Sequence, residues 1–280
     1  MNTFDPILLA TSTQFQLLSA KPLSGGLSNR CWALELQRRQ TGETVKAVWR
    51  PAADSTKAFG LSRRQEHHIL KQLHRSPIAP NSLALLEQGL LVEWVVGSTA
   101  DETLPDQDLL QLQAEIHTFP VPSWRLEPQA KAVHYWQHIP REYKSLQLEQ
   151  IHRYFQQQTL FHWFDDTCCH HDLGRYNIIC QPDGNKRVID WEYAAAGDPS
   201  LDLTLTITAN GLDISSAVST YCELQGYSDH KRWCEAVQFW LPWSDYLAML
   251  WYFVGASLWQ DTSYIKEAKA LQLKLASIVE

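Results

Sequence analysis

Short apolar runs separated by turn residues occupy the amino-terminal part of the chain. Residues 32–36 and 45–50 are short, mostly apolar runs on either side of a turn at Gly42, and this pattern predicts two strands joined by a loop. Residues 83–97 predict two further strands joined around Gly89. The chain therefore begins with a β-rich segment.

A helix is expected between these two pairs of strands. Residues 62–73 place their apolar side chains at helical spacing among charged ones, which predicts a helix with one face packed on the sheet. Ser62 is followed three positions later by Gln65, an arrangement typical of a helix amino terminus capped by its serine.

The pattern changes after Gly97. Residues 98–280 are mostly helix-like, interrupted by a loop and a hairpin within residues 170–192. We therefore predict an α+β, two-lobed fold with a β-rich lobe of residues 1–97 and a mostly helical lobe of residues 98–280. The most apolar stretch, residues 240–259, contains a proline, a serine and an aspartate, so we interpret it as a buried helix and not as a membrane span.

Composition narrows the class of protein. With 45% hydrophobic and 20% charged residues among 280, the chain has the balance of an ordinary globular enzyme. Its formal net charge of −7 disfavours a nucleic-acid partner, because such binding depends on neutralising phosphates.

The six cysteines include no C-x-x-C pair, so we expect reduced thiols and neither a zinc site nor a disulfide framework. The amino terminus lacks the pattern of a secretory signal, which favours a cytoplasmic protein with a small-molecule partner.

Polar residues that suit metal and phosphate chemistry concentrate in residues 168–203. Asp172 lies in a polar turn, and Asn177 follows five positions later, just before an apolar pair that begins a strand. A tight turn at residues 182–185 leads into a returning strand that ends near Asp190. A hairpin of this length is expected to bring Asn177 and Asp190 together beside Asp172. Oxygen ligands in such a small number suit Mg²⁺, which keeps its other positions for water and nucleotide phosphates.

Phosphoryl transfer requires one group that positions the acceptor and others that hold metal ions. One carboxylate, here Asp172, positions the acceptor hydroxyl, while Asn177 and Asp190 hold metal that neutralises the phosphates. Taken singly, each residue is more readily explained as a turn residue or a helix cap. The full pattern is H-x-D-x-x-x-x-N followed by an apolar strand, a turn and I-D-W-E. A pattern of this length is much less easily explained by chance than any one of its residues, and it favours an enzyme.

The chain resembles the aminoglycoside phosphotransferase and choline kinase superfamily over nearly its whole length, on the residues His170, His171, Asp172, Asn177, Asp190, Trp191, Glu192, Gly197, Asp198, Pro199 and Asp202. This resemblance implies a protein-kinase-like fold, ATP and Mg²⁺ as cofactors, and transfer of the γ-phosphate to a hydroxyl of a small molecule. It also implies that Asp172 is the catalytic aspartate, that Asn177 and Asp190 are metal ligands, and that His170 supports the catalytic loop. The chain departs from many members at Gly174, Arg175 and Tyr176, where they carry a run resembling His-Pro-Gly.

The amino-terminal lobe contains the matching nucleotide-binding positions. Glycines in a turn let backbone N–H groups approach phosphate oxygens, and the turn residues concerned are Ser24, Gly25, Gly26 and Asn29. By the same resemblance Arg50 contacts the phosphates, Glu66 orients Arg50, and the backbone at Glu93 and Val95 forms the adenine-binding hinge. Each of these positions also has a simpler interpretation. The glycines would form an ordinary hairpin turn, Glu66 would be a solvated charge on a helix, and Glu93 and Val95 would belong to an edge strand.

The acceptor is less constrained by the sequence. Twelve tryptophans are an excess for 280 residues, and most are expected in the core. Aromatic faces and carboxylates in the cleft would favour an organic cation, and the candidate acceptor contacts are Glu192, Asp198, Trp240 and Trp243. The IDWEYA block and the WLPW run are similar to bacterial thiamine kinases, so thiamine ranks before choline or ethanolamine and well before aminoglycosides.

Two other classes of protein stay open. The first is a catalytically inactive relative that binds nucleotides and acts as a regulator, although all three polar residues of the catalytic loop are present. The second is a protein kinase, but Asp190 is followed by Trp191 and Glu192 where protein kinases carry D-F-G. The sequence does not indicate an oligomeric state.

Overall fold

A computed structural model describes residues 14–23 and 31–279, which divide into two compact units. Of the described residues, the sheet unit comprises 14–23, 31–57, Leu61–Ser98 and Ile179–Glu192. The helical unit comprises Ala58–Gly60, Thr99–Ile178 and 193–279. This division differs from the predicted lobes of residues 1–97 and 98–280 chiefly in the place of the Ile179–Glu192 segment.

An antiparallel sheet of five strands, in the order β1-β2-β3-β5-β4, forms the body of the sheet unit. Its strands are β1 (Phe15–Pro22), β2 (Trp32–Arg38), β3 (Thr44–Pro51), β4 (Ser82–Leu86) and β5 (Gly89–Glu93). Between β2 and β3, Gly42 has a φ of 73°, which glycine adopts without strain. Both predicted strand pairs are confirmed, although β5 ends at Glu93 and not at residue 97.

Alternation along the strands explains the core of this sheet. Leu34 and Leu36 on β2 and Ala47 and Trp49 on β3 are two positions apart in each strand, so they share one buried face. Two helices follow β3 in the chain, α1 (Asp54–Ala58) and α2 (Arg63–Gln72). The predicted cap of α2 is confirmed, because the Ser62 hydroxyl accepts a hydrogen bond from the Gln65 N–H at 3.3 Å.

The hairpin after Ile178 belongs to the sheet unit because it bonds to that unit's backbone. Its strands are β8 (Ile178–Cys180) and β9 (Lys186–Val188), and β6 (Ser98–Thr99) completes a small sheet in the order β6-β8-β9. The Val188 N–H donates to the Ile78 carbonyl at 2.6 Å, and the Arg187 guanidinium donates to the Ala79 carbonyl at 2.7 Å. Side-chain pattern alone does not reveal such backbone pairing, so the sequence placed this hairpin in the other lobe.

Helices dominate the other unit: α3 (Asp106–Ile116), α4 (Pro128–His138), α5 (Leu146–Gln157), α6 (Pro199–Asn210), α7 (Ile214–Gln225), α8 (His230–Trp259) and α9 (Thr262–Val279). Leu110, Leu203, Tyr221 and Trp233, one from each of α3, α6, α7 and α8, meet in a buried cluster. Two short strands, β7 (Thr167–Cys169) and β10 (Ala195–Gly197), pair antiparallel. The sequence did not predict this pair, since three-residue strands show no readable alternation.

The apolar stretch at residues 240–259 is the carboxyl-terminal part of α8, and the side chains of Trp240, Trp243, Tyr246 and Phe253 in it are buried. The predicted buried helix is therefore confirmed. Within residues 14–23 and 31–279, no helix has both the length and the apolar character required to cross a membrane.

Candidate active site

The carboxylate of Asp202 holds the loop that follows β7. Asp202 lies in the first turn of α6 and accepts hydrogen bonds from the backbone N–H groups of His171 at 2.6 Å and His170 at 3.2 Å. His171 has a φ of 60°, a left-handed conformation that is costly for a residue other than glycine. The two hydrogen bonds therefore stabilise a strained turn immediately before Asp172.

His117, at the carboxyl end of α3, extends this buried group. Its Nε2 lies 2.8 Å from an Asp202 oxygen, and its Nδ1 lies 2.5 Å from the Tyr221 hydroxyl. Burial alone would raise the pKa of Asp202, but the hydrogen bond from His117 and the neighbouring histidines hold it well below its usual range. Burial raises the pKa of the nearby Cys169 thiol well above its ordinary value, so this sulfur stays protonated and donates to the Gly197 carbonyl at 3.3 Å.

The Asp172 carboxylate lies between two side chains of its own loop. The Tyr176 hydroxyl donates to Oδ1 at 2.7 Å. The Asn177 amide nitrogen donates to Oδ2 at 3.1 Å and to the Asp172 backbone carbonyl at 2.9 Å. Because the nitrogen of Asn177 is used within the loop, its amide oxygen is the atom suited to hold a further ligand.

In the sheet unit, Arg50 lies among three carboxylates. Its guanidinium is 2.7 Å from Glu66 on α2 and 2.8 Å from Glu192, and it also contacts Asp190. The expected contact between Arg50 and Glu66 is thus present. Burial lowers the pKa of Arg50, but Asp190, Glu66 and Glu192 outweigh this effect and raise it well above its ordinary value. Arg50 therefore stays charged.

Sequence reasoning missed a second buried arginine, Arg63. Its guanidinium donates to Glu66 at 2.6 Å and to Glu192 at 2.7 Å, and its Nε donates to the Pro51 carbonyl at 3.2 Å. Two arginines thereby compensate carboxylates that would be costly to bury alone. The available signal was the three-residue spacing of Arg63 and Glu66 on one helix face, although most such pairs are exposed.

Asp190 follows β9 with a φ of 65°, again in the left-handed region. Its side chain is 24% exposed, against 1% for Glu192 and 2% for Glu66. Burial raises the pKa of Asp190, and the positive charge of Arg50 only partly offsets this. Asp190 is therefore the carboxylate of this group that a solvent-borne partner reaches most readily.

Of the other residues predicted to bind the nucleotide, the structure describes only some. Ser24, Gly25, Gly26 and Asn29 lie outside the described residues. Glu93 ends β5, and its carboxylate accepts hydrogen bonds from the backbone and side chain of Asn81, both at 2.8 Å. This gives the Glu93 side chain a structural role. Val95 lies just beyond the strand and is half-buried.

The four side chains predicted to bind the acceptor are buried and packed against or paired with other protein groups, and their role in acceptor binding stays a prediction. Glu192 is 6% exposed and bound to two arginines, and Asp198 is 2% exposed and caps α6. Trp240 is 1% exposed and donates to the Ser200 hydroxyl at 3.1 Å, while Trp243 is 3% exposed. The tryptophans occupy the inward face of α8, where aromatic residues at helical spacing usually pack.

Comparison with known proteins places this geometry in a family. The sequence model of the phosphotransferase enzyme family matches residues 19–234. Thiamine kinase from Salmonella paratyphi B is 27% identical over 198 residues, which cover 67% of this chain and 68% of that protein.

Solved structures resemble the whole chain. The choline kinase LicA from Streptococcus pneumoniae, in complex with AMP, is 19% identical, with a TM-score of 0.72 and coverage of 97% of this chain and 95% of that one. The GDP complex of aminoglycoside 2'-phosphotransferase-IIIa is 15% identical, with a TM-score of 0.62 and coverage of 96% of both chains. These likenesses confirm the kinase-like α+β fold predicted from the sequence.

Proposed function

Since the chain belongs to the phosphotransferase enzyme family, we propose that it transfers the γ-phosphate of ATP to a hydroxyl group of a small organic cation, thiamine before choline or ethanolamine. The observation that carries this proposal is the Asp172 loop. Its carboxylate is held on both oxygens, and the turn that precedes it is fixed by the buried Asp202. Preorganisation of this kind suits a reaction in which positioning dominates.

In the proposed mechanism Asp172 accepts a hydrogen bond from the acceptor hydroxyl and directs its oxygen toward the phosphorus. The transition state of phosphoryl transfer is loose, so alignment of the attacking oxygen matters more than complete removal of its proton. The proton passes to Asp172 as the bond between the acceptor oxygen and the γ-phosphorus forms and the bond from that phosphorus to the leaving ADP breaks. His170, through its backbone contact with Asp202, helps to hold this loop in place.

Mg²⁺ is the cofactor that the available donors fit. The amide oxygen of Asn177 and the partly exposed carboxylate of Asp190 are hard oxygen ligands, and we propose both as metal ligands. When bound, the ion would neutralise charge on the nucleotide phosphates. We further propose that Arg50, oriented by Glu66, contacts those phosphates. The other proposed nucleotide contacts are Ser24, Gly25, Gly26 and Asn29 and the backbone at Glu93 and Val95.

The thiamine assignment is supported by the 27% identical thiamine kinase relative. With the predicted carboxylates buried, the aromatic candidates for acceptor binding become Tyr193 and Trp251, which are half-buried and joined by a hydrogen bond of 3.0 Å. The Lys131 ammonium lies 5.0 Å from the centre of the Tyr193 ring, so one face of this ring already meets a cation. Trp251 is therefore the better candidate for stacking on a thiazolium or ammonium group.

A phosphotransferase for another acceptor is the second candidate, favoured by the fold shared with an aminoglycoside phosphotransferase. A catalytically inactive regulator is more remote, because Asp172, Asn177 and Asp190 are all retained. We place the reaction in the cytoplasm, an assignment supported by six free cysteines.

A screen of donors and acceptors tests the proposal. The protein is incubated with Mg²⁺ and either ATP or GTP, in the presence of thiamine, choline, ethanolamine or kanamycin, and the products are identified by mass. We expect phosphorylated thiamine from ATP at the highest rate. Selective phosphorylation of kanamycin would favour the second candidate, and nucleotide binding without any phosphorylated product would favour the regulator.

A further inference from the structure

Tyr176 lies directly before Asn177, in the loop that carries Asp172. We propose that Tyr176 is a positioning and specificity-determining residue: its hydroxyl fixes the Asp172 carboxylate, and its ring restricts the acceptor to unhindered primary hydroxyls. This inference rests on the proposed function and specifies the class of alcohol that the enzyme accepts.

The hydroxyl of Tyr176 completes the support of Asp172. It donates to Oδ1 at 2.7 Å, while the Asn177 amide donates to Oδ2 at 3.1 Å. A carboxylate held on both oxygens has a defined plane, and rotation about its side-chain bonds would break one hydrogen bond or the other. Loss of the Tyr176 hydroxyl therefore releases one side of the group that must align the acceptor.

The backbone around Tyr176 is fixed, so its ring has a defined direction. The Arg175 N–H donates to the Asn210 side chain at 2.9 Å, and the Arg175 guanidinium donates to the Leu104 carbonyl at 3.0 Å. The Asn177 N–H donates to the Gly174 carbonyl at 2.9 Å, closing a turn over residues 175–177. These bonds attach the turn to α6 and to the chain before α3.

The Tyr176 ring lies directly against the Cα of Gly174. A Cβ atom at position 174 would be 2.0 Å from Tyr176 Cε1 and 2.3 Å from Cζ, far inside van der Waals contact. The backbone of Gly174 is extended, with φ of −94°, so alanine fits the main chain there. An alanine at this position would therefore displace the ring from Asp172 without removing the tyrosine.

The position of the ring limits the acceptor. An acceptor oxygen that bonds to Asp172 must approach within about 3 Å, the same range as the Tyr176 hydroxyl. In this proposal the acceptor hydroxyl bonds to Oδ1, since a carboxylate oxygen accepts up to two hydrogen bonds. The acceptor oxygen then lies beside the phenol, and the carbon that bears it lies against the ring. Tyr176 is 53% exposed, which leaves ring surface for this contact. A substituent on that carbon would collide with the ring, whereas a primary alcohol would not.

Kinetics of Tyr176→Phe, Gly174→Ala and the double variant test the positioning role. Each single change is expected to lower kcat for thiamine about tenfold, the loss of one hydrogen bond to a charged group, with KM for ATP unchanged. The double variant should be no worse than either single one, because both changes break the same contact. Tyr154→Phe, on α5, is the matched control and should retain normal kcat. Additive losses in the double variant, or a normal kcat for Tyr176→Phe, would overturn the positioning role.

Substrate preference tests the role of the ring. Thiamine and choline are compared with the analogue of each that carries a methyl group on the hydroxyl-bearing carbon. The native enzyme should prefer the primary alcohols by kcat/KM at least about thirtyfold, Tyr176→Phe should keep this preference, and Tyr176→Ala should reduce it to a few-fold. An unchanged preference in Tyr176→Ala would overturn the specificity role.

A crystal structure of Tyr176→Phe separates this inference from the proposed function, because it does not depend on turnover. We expect the Asp172 carboxylate to occupy a rotated or mixed position. If the native protein phosphorylates none of the alcohols while the carboxylate does rotate, the proposed function fails and the positioning role stands. If the carboxylate keeps its native position in the variant, the positioning role fails whatever the enzyme phosphorylates.

Discussion

The guanidinium of Arg63 lies 2.7 Å from the carboxylate of Glu192, although 129 positions separate the two residues in the sequence. The Arg63 side chain is 4% exposed and that of Glu192 is 1% exposed. The contact joins the first turn of α2 to the segment that carries Asp190. We therefore regard Arg63 as the anchor of this segment within the sheet unit.

Arg63→Ala should strongly destabilise the protein. Removing the cation takes one guanidinium partner away from each of two buried carboxylates, Glu66 and Glu192, and breaking a buried ion pair from one side costs about 3–5 kcal/mol. Arg64→Ala is the matched control, since Arg64 is the adjacent, exposed residue of the same helix, and it should cost less than about 0.5 kcal/mol. Urea denaturation measures both, and equal free energies of unfolding would show that the buried group adds no stability.

Asp172→Asn should abolish turnover and leave nucleotide binding largely intact. The substitution removes the charge that receives the acceptor proton, so kcat should fall at least about a hundredfold, while the proposed metal ligands Asn177 and Asp190 remain. Initial rates with thiamine and calorimetric titration with Mg²⁺-ATP measure the two effects. Near-normal turnover would remove Asp172 from the catalytic role.

Asp190→Ala should weaken the binding of Mg²⁺-ATP as well as turnover, because it removes a proposed oxygen ligand of the metal. Asp183→Ala, in the exposed turn of the same hairpin, is the control and should bind normally. Calorimetry at limiting Mg²⁺ gives the affinity of each variant. An unchanged affinity for Asp190→Ala would exclude it as a metal ligand.

His152 should make stability depend on pH. It stacks on Trp136 with ring centres 4.1 Å apart, and burial, with the charge of Lys144, lowers its pKa to about 4. The unfolded chain has the ordinary value of about 6.5 and binds a proton there that the folded chain does not, so stability falls as the pH drops from about 6.5 towards 4.

The test compares melting temperatures at pH 7.5 and pH 5. The decrease on acidification should be smaller for His152→Gln than for the native protein, whereas His74→Gln, at an exposed position, should behave like the native protein. A decrease of the same size in all three would show that another group controls this pH dependence.

Elements that depend on local pattern were predictable from the sequence. Strands β2 to β5 follow from apolar runs bounded by turn residues, and helix α2 follows from helical spacing and the Ser62 cap. The pairing of Arg50 with Glu66 followed from family resemblance, because the two residues lie on separate elements.

Features that depend on packing between distant elements were not predictable. The spacing of Arg63 and Glu66 is a local signal, but nothing local indicates that Arg63 also pairs with Glu192 or that His117 pairs with Asp202. The burial of the predicted acceptor residues was not predictable for the same reason. A tryptophan such as Trp240 gives the same sequence signal whether it lines a cleft or fills a core, and packing on α8 buries it.

The most direct test of the central claim is the mass of the product formed from thiamine, ATP and Mg²⁺ by the native protein and by Asp172→Asn in parallel. We expect thiamine that is heavier by one phosphoryl group, formed by the native protein and formed at least about a hundredfold more slowly by the variant. Phosphorylated thiamine formed equally fast by both proteins would contradict the role of Asp172. No phosphorylated alcohol from the native protein with thiamine, choline or ethanolamine would contradict the proposed reaction itself.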